Sequence, residues 1–354
     1  MGIISRMYRG NNDIDFPKVT RVTAIVSLIL VAISIGSVLT KGFNLSIDFD
    51  GGSVWEVPSK DFTIEQATDV MVAFDETGGE KFQEATTADG GRILRISGQV
   101  DSVQEGTEIA TALSTAAGLE QGGVTVNTVG PSWGDDITRQ ARNSLIVFMV
   151  LVAAYITFRL EGRMAFSALV AVLHDILITV GVYSLFSIQV TPATVISFLT
   201  ILGFSLYDTI VVYDRVQENA ERFARSGEYT YTAIMRRSLN QVVMRSINTT
   251  ITTILPIISM LIVGKFIFGQ QTIADFSLAL LIGLVSGTYS SLFVAAPITS
   301  WLKERESRWK EVRKRLVTRG VDVADTSWHG VKNTAKAGVK ATAAKKATPP
   351  KPVV

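Results

Sequence analysis

The chain has 354 residues, 47% of them hydrophobic and 19% charged, with a mean hydropathy of +0.31, a balance too apolar for a soluble protein of this length and expected of one that crosses a membrane several times. Cysteine is absent and the only histidines are His174 and His329, which rules out disulfides and thiol catalysis and argues against a metal site; no cofactor is expected. The net charge of +2 matters less than where the charges fall.

The N-terminal segment, 1–21, carries Arg6, Arg9, Lys18 and Arg21. An apolar run from Val22 to Leu39 follows, close to the roughly 20 residues a spanning helix needs. Leu39-Thr40-Lys41-Gly42 offers no small-x-small cleavage site, so the run, 22–40, is expected to stay as a signal anchor. Residues 41–141 form a polar insert, and 41–142 hold 17 Asp and Glu against 7 Lys and Arg. Within it "SIDFDGGSVWEVP" alternates as a strand after a Gly-Gly break. "TIEQATDVMVAFDETG" has helical spacing with Thr63 as its cap. "KFQEATTADGGRILRISG" reads as a hairpin turning at Asp89-Gly90-Gly91. "SVQEGTEIATALSTAAG" is helical and "VTVNTVG" a last strand. The order β-α-β-β-α-β is that of a ferredoxin-like α+β unit. Such a fold names no activity, and without His or Cys the unit reads as a docking or lever module rather than an enzyme. Gly51 and Gly52, where the chain enters it, suit either a hinge or a tight turn.

Five more apolar runs follow: Arg142 to Phe158, Met164 to Ile188, Val190 to Tyr213, Ser246 to Val263 and Phe276 to Trp301. Six spans place both termini on one side. The segments on that side are basic: Arg159 and Arg163, then Arg215, Arg222, Arg225, Arg236, Arg237 and Arg245 in a loop of about 214–245, then Lys303, Arg305, Arg308 and Lys310. By the positive-inside rule that side is cytoplasmic and the insert is extracytoplasmic. The tail, 303–354, has 14 Lys and Arg against 5 acids and ends rich in Lys, Ala and Pro. It reads as a disordered, solvated tail, with anionic lipid or ribosomal RNA as the alternative contacts.

Inside the fourth run stands a lone carboxylate, Asp208. A charge at the bilayer centre costs about 2.5–3.5 kcal/mol on insertion scales, so Asp208 must face protein, water or the interface. Counted from Pro192 at about 1.5 Å per residue it lies about 24 Å along the helix, in the inner half. One face of that helix runs Thr194, Ser197, Ile201, Ser205, Asp208, a mostly polar stripe suited to a lining that hydrates. The fifth run carries a matching stripe of Arg245, Thr249, Thr252, Pro256 and Ser259. Arg245 either pairs with Asp208 or snorkels to lipid phosphates. The third run holds His174 and Asp175, either a proton relay or a structural hydrogen-bonding pair. The sixth run repeats small residues every fourth position, at Ala279, Gly283, Gly287, Ser291 and Ala295, a ladder for close packing against a helix of this chain or of a partner. Nothing forms a nucleophile with its base or a phosphate loop. A protonatable carboxylate near an arginine instead forms a switch that a proton gradient can drive.

These residues resemble the SecD/SecF family of bacterial protein-export membrane proteins, within the resistance-nodulation-division superfamily, over about 20–302. The strongest element is "GFSLYDTIVVYDRVQEN", similar to the family's Gly-Tyr-Ser-x-x-Asp-Thr-Val-Val-Val-x-Asp-Arg-Ile-Arg-Glu-Asn, with departures at Phe204, Ile210, Val216 and Gln217. "IDFDGGSVWEV", "RSINTTITTILP" and "GLVSGTYSSLFVAAP" resemble its other signatures in the same order. The resemblance implies an accessory subunit of the Sec translocase in the bacterial cytoplasmic membrane. It implies a heterodimer with SecD as half of a pseudo-symmetric twelve-span unit. It also implies use of the proton-motive force, or of sodium, to draw exported polypeptides outward at a late stage, alongside SecYEG and often YajC. By motif match the coupling residues are Asp208 and Arg245. Two competing functions remain: a half-size transporter for a lipid or drug on the same fold, and a passive scaffold of a membrane complex.

Overall fold

The structure is a computed structural model that describes residues 14–59, 61–74, 80–86, 91–100, 102–224, 227–268 and 270–323. In chain order, helix α1 (Phe16–Lys41) leads through β1 (Asn44–Leu45) and the one-turn α2 (Ile47–Asp50) into β2 (Gly52–Pro58), α3 (Ile64–Ala73), β3 (Lys81–Thr86), β4 (Arg92–Gly98), α4 (Val103–Ala116) and β5 (Thr125–Val129). Helices α5 (Pro131–Arg159) and α6 (Gly162–Leu185), the short β6 (Gln189–Val190), then α7 (Pro192–Ala224), α8 (Tyr231–Ile262), α9 (Gln271–Ser290), α10 (Ala296–Lys303) and α11 (Ser307–Thr318) follow. Six of the described helical stretches are long and apolar enough to cross a membrane, from Val19–Lys41 to Thr272–Lys303.

The insert folds around one sheet of strand order β3-β4-β2-β5, with every pair antiparallel. Trp55, Met71, Leu94, Ile96, Ile109 and Leu113 form its core. Trp55 is fully buried and its indole Nε1 donates to Gly106 O at 2.8 Å, so the largest core side chain leaves no unsatisfied donor. Thr63 caps α3 in a reciprocal box with Gln66, the feature its place before an apolar-periodic run leads one to expect. Asp89 and Gly90 of the expected hairpin turn lie outside the described residues, while the strands flanking them pair antiparallel.

The Gly-Gly pair sits at the turn from α2 into β2. Both residues have positive φ, +76° at Gly51 and +113° at Gly52, and a Cβ on Gly52 would lie 2.4 Å from the carbonyl oxygen of Gly98 on the neighbouring strand. Two separate effects therefore demand glycine at Gly52, backbone angle and strand approach. Gly52→Ala is expected to cost about 2–3 kcal/mol, toward the upper end of what such strain carries, read as a lower midpoint in thermal unfolding of the purified chain. An unchanged midpoint would mean that the β2 to β4 register relaxes freely.

Close approach of helices rests on small residues, since lipid supplies no hydrophobic drive between them. A Cβ on Gly181 would fall within 2.6 Å of Ser34 atoms, and Ser37 and Ser184 share a hydrogen bond of 2.9 Å, which seats α1 on α6. The ladder on α9 meets α7: Gly283 faces the side chain of Ile201 and Gly287 faces Ser205. It is covered within the chain and does not await a partner. Exposed apolar side chains include Leu28, Ile29, Val150, Leu151, Ile251 and Leu255 on α1, α5 and α8.

Two boundaries differ from expectation. The loop of about 214–245 is helical over most of its length, because α7 continues to Ala224 and α8 starts at Tyr231. Hydropathy marks where a helix leaves the hydrocarbon, whereas this pair continues because polar contacts zip it together. Arg215 Nε donates to Gln241 Oε1 at 2.7 Å, and Asn219 Nδ2 donates to Ser238 Oγ at 2.8 Å. The tail is likewise not disordered from Lys303, since α11 turns Trp309, Val312 and Leu316 into the core and Trp309 packs edge-on against Tyr231 at 5.1 Å. Its apolar spacing, hidden in a strongly basic stretch, is amphipathic. The lysine-rich end, 324–354, lies outside the described residues.

Candidate functional site

Two carboxylates inside the bundle are each clasped by serines. Asp175, on α6 and 1% exposed, accepts three hydroxyls: Ser205 of α7 at 2.5 Å, Ser290 of α9 at 2.7 Å and Ser286 of α9 at 2.9 Å. Its neighbour His174 lies 3.3 Å away through Nδ1. The imidazole stacks at 6.2 Å on Tyr289, and its Nε2 is buried without a hydrogen-bond partner among the described residues. Asp208, on α7 and half-buried, accepts from Ser246 of α8 at 2.9 Å and from Ser291 at 2.5 Å.

The two clasps share a backbone. Ser290 and Ser291 are consecutive, so one peptide step separates the hydroxyl on Asp175 from the hydroxyl on Asp208. At this point α9 gives way to a π-helical turn, Ser291–Ala295, a feature that recurs at functional sites. In this short segment neighbouring side chains reach different helices. Ser286 and Ser290 address α6, Gly287 and Ser291 address α7, Thr288 meets Thr250 of α8 at 2.8 Å, and the Tyr289 hydroxyl donates to Thr23 O of α1 at 2.8 Å. Each of the two serines also has a second acceptor in its own helix, Gly287 O for Ser290 and Thr288 O for Ser291, both at 3.1 Å. A hydroxyl carries one proton and donates to one acceptor at a time. Both serines can therefore turn from carboxylate to carbonyl.

The structure does not bring Arg245 to Asp208. Arg245 is exposed and no ion pair joins the two. The helix explains why: side chains of consecutive residues diverge by about 100°, and Ser246, 1% exposed, is the one turned inward. Thr249 and Thr252 are exposed on the same outward face as Arg245 and do not line an internal path. Of the α7 stripe, Thr194 and Ser197 are fully buried and Ser197 donates to Phe276 O at 3.0 Å. This end of the stripe is packed against α9 rather than hydrated. The second half of the quoted motif is bracing, with Asp214 pairing at 2.9 Å with Arg159 of α5.

Sequence reasoning missed Ser246, Ser286 and Ser290. The signal was present as serines four apart on α9 and one residue from the arginine on α8, but which of two adjacent stripes meets a carboxylate depends on helix rotation. Among the described residues no group of three His, Asp or Glu side chains is close enough to hold a metal ion.

Fold and site together define a polytopic helical membrane protein with two hydroxyl-clasped carboxylates in its bundle and a folded unit inserted after the first span. A family model described as protein export membrane protein SecD/SecF, C-terminal, matches residues 109–305. The protein translocase subunit SecF of Streptomyces coelicolor is 36% identical over 315 residues, 89% of this chain and 83% of that one. Its counterpart from Mycobacterium tuberculosis is 36% identical over 324 residues, 89% and 73% of the two chains. The crystal structure of SecDF, a translocon-associated membrane protein from Thermus thermophilus, superposes with a TM-score of 0.72 at 29% identity, over 84% of this chain and 39% of that one. The chain thus spans well under half of that structure. It belongs to the SecD/SecF family of protein export membrane proteins.

Proposed function

We propose that the chain is an accessory subunit of the bacterial Sec translocase, sits in the cytoplasmic membrane with both termini inside, and couples proton entry at Asp208 to late steps of polypeptide export. The insert is then a ferredoxin-like extracytoplasmic unit that moves with the helices. No enzymatic step is assigned. The observation that carries this reading is the half-buried Asp208, held by two neutral hydroxyls and in no ion pair among the described residues. A carboxylate held only by neutral hydroxyls can gain or lose a proton without breaking an ion pair, because each hydroxyl can serve as donor or acceptor.

The charge cycle follows from the rotors. With Asp208 ionised, Ser246 and Ser291 donate to it and tie α7 to α8 and to the π turn. With Asp208 protonated, Ser291 can return to Thr288 O and the tie between α7 and α9 loosens. Through Ser290, one residue away, the same change reaches Asp175 and His174, which act as a relay. In the ionised state Arg245 is the nearest basic residue in sequence to the Asp208 clasp, and rotation of α8 by about one residue would exchange it for Ser246. That exchange is its proposed coupling role.

The exposed Arg245 and Thr249 on the outward face of α8 also support a partner. Lipid tails do not satisfy such groups, and a SecD chain covering the face would. SecYEG, YajC and the exported polypeptide belong to the same reading. The test is gradient-dependent export into inside-out vesicles containing SecD, with and without this chain. Stimulation by the chain that disappears with an uncoupler is expected. Stimulation that persists without a gradient would favour the passive scaffold.

A further inference from the structure

A cavity of about 400 Å³ opens between the start of α1, the start of α8 and the α10–α11 corner. It lies at the end of the bundle where the first candidate span begins, at Val19, and the last one ends, at Lys303, so it straddles the edge of the hydrocarbon. Its lining combines an apolar set, Phe16, Met235, Leu239, Pro297 and Trp301, with the basic side chains of Arg236, Arg305 and Arg313 and one acid, Glu304.

The two carboxylates at this rim are engaged. Asp15 lies 3.4 Å from Arg236. Glu304 Oε1 accepts the Thr232 amide at 2.9 Å and its hydroxyl at 3.0 Å, where it complements the N-terminal end of α8, and its other oxygen is 4.0 Å from Arg313. Arg305 is exposed, has no carboxylate partner among the described residues, and sits over the Trp301 ring with its guanidinium carbon 3.5 Å from the centroid. This contact leaves the forked donors of the guanidinium free to receive phosphate oxygens. Trp301, 55% exposed, has the amphipathic character of a residue at headgroup depth.

We propose that this cavity binds one anionic glycerophospholipid, its phosphate and headgroup on Arg305 and Arg313 and the upper part of an acyl chain along Phe16, Leu239 and Pro297. Basic pockets between spanning helices at the membrane surface recognise headgroups in this way. A free phosphate would use the arginines and waste the apolar lining; a neutral lipid would use that lining and leave the net positive rim unmatched. The site is independent of the coupling role of Asp208. The lipid would hold α10 and α11 against the ends of α1 and α8.

The test is native mass spectrometry of the full chain in detergent, titrated with phosphatidylglycerol, phosphatidylcholine or glycerol phosphate. One phosphatidylglycerol is expected to bind at least about tenfold better than phosphatidylcholine, with the preference falling below about twofold in the Arg305→Gln, Arg313→Gln double variant. Equal retention of both lipids, an undiminished preference in the variant, or displacement by glycerol phosphate at comparable concentration would each overturn the proposal. Should the variant unfold, photoactivatable phosphatidylglycerol on the wild-type chain decides. Crosslinks at the start of α1 and along α10 support the site, and crosslinks confined to the exposed faces of α1, α5 and α8 refute it.

Discussion

Asp208→Asn is expected to abolish the gradient-dependent part of export while leaving the chain folded and bound to its partner. Asparagine keeps the shape of the side chain. Its amide can accept from one serine and donate to the other, because a hydroxyl serves in either role. The clasp of Ser246 and Ser291 therefore survives at a cost of about 1 kcal/mol, within the usual range for a neutral hydrogen bond. What is lost is the proton. One charge moved through a potential of 100 mV carries about 2.3 kcal/mol, and each 1.36 kcal/mol is a factor of about ten in rate. Loss of one coupled proton thus removes up to about fifty-fold of stimulation per 100 mV. Export into inside-out vesicles at matched expression, with assembly checked by co-purification of SecD, makes the measurement. Full gradient dependence in the variant would leave Asp208 as a helix tie and move coupling elsewhere.

Substitutions at Asp175 are expected to divide. Asp175→Leu removes the acceptor for three buried hydroxyls and for the His174 ring, and a leucine side chain returns none of them. Each buried hydroxyl left without an acceptor costs about 1–3 kcal/mol, and Ser205 and Ser286 both lose theirs, while Ser290 can fall back on Gly287 O. The chain should then fail to accumulate or melt far below the wild type. Asp175→Asn keeps an acceptor for one serine and a donor for another, so its stability should lie within about 1–2 kcal/mol of the wild type. In the relay reading the asparagine variant is nonetheless slow in gradient-driven export, and His174→Gln shares the defect. An asparagine variant that exports normally would make Asp175 a purely structural node where α6, α7 and α9 meet. Thermal melting separates the two variants, and the export assay separates the two roles.

Much of the architecture was legible because single segments encode it. An apolar run of about 20 residues specifies a spanning helix whatever its neighbours do, and all six runs correspond to helices long and apolar enough to cross. Thr63 and Gln66 cap α3 through contacts three residues apart. Helix ends outside the hydrocarbon were less legible. The extensions of α7 and α8 depend on Asn219 meeting Ser238 and Arg215 meeting Gln241, pairs 19 and 26 residues apart that no local pattern announces. For α11 the amphipathic spacing was present but masked by its charge.

The candidate site divides in the same way. That a carboxylate stands in the fourth apolar run and an adjacent His-Asp pair in the third follows from the sequence alone, since a charge within an apolar run is visible by contrast. So does the family, carried by the stretch from Gly203 to Asn219. Which groups hold those carboxylates was decided by tertiary structure. Ser246 and Arg245 are neighbours in the chain, and only the rotation of α8 turns the serine to Asp208 and the arginine outward. Ser290 and Ser291 are likewise neighbours, and only the place of the π turn between α6 and α7 gives each a different carboxylate. Sequence spacing defines a face modulo the rotation of its helix, and that rotation is set by how six helices pack at once.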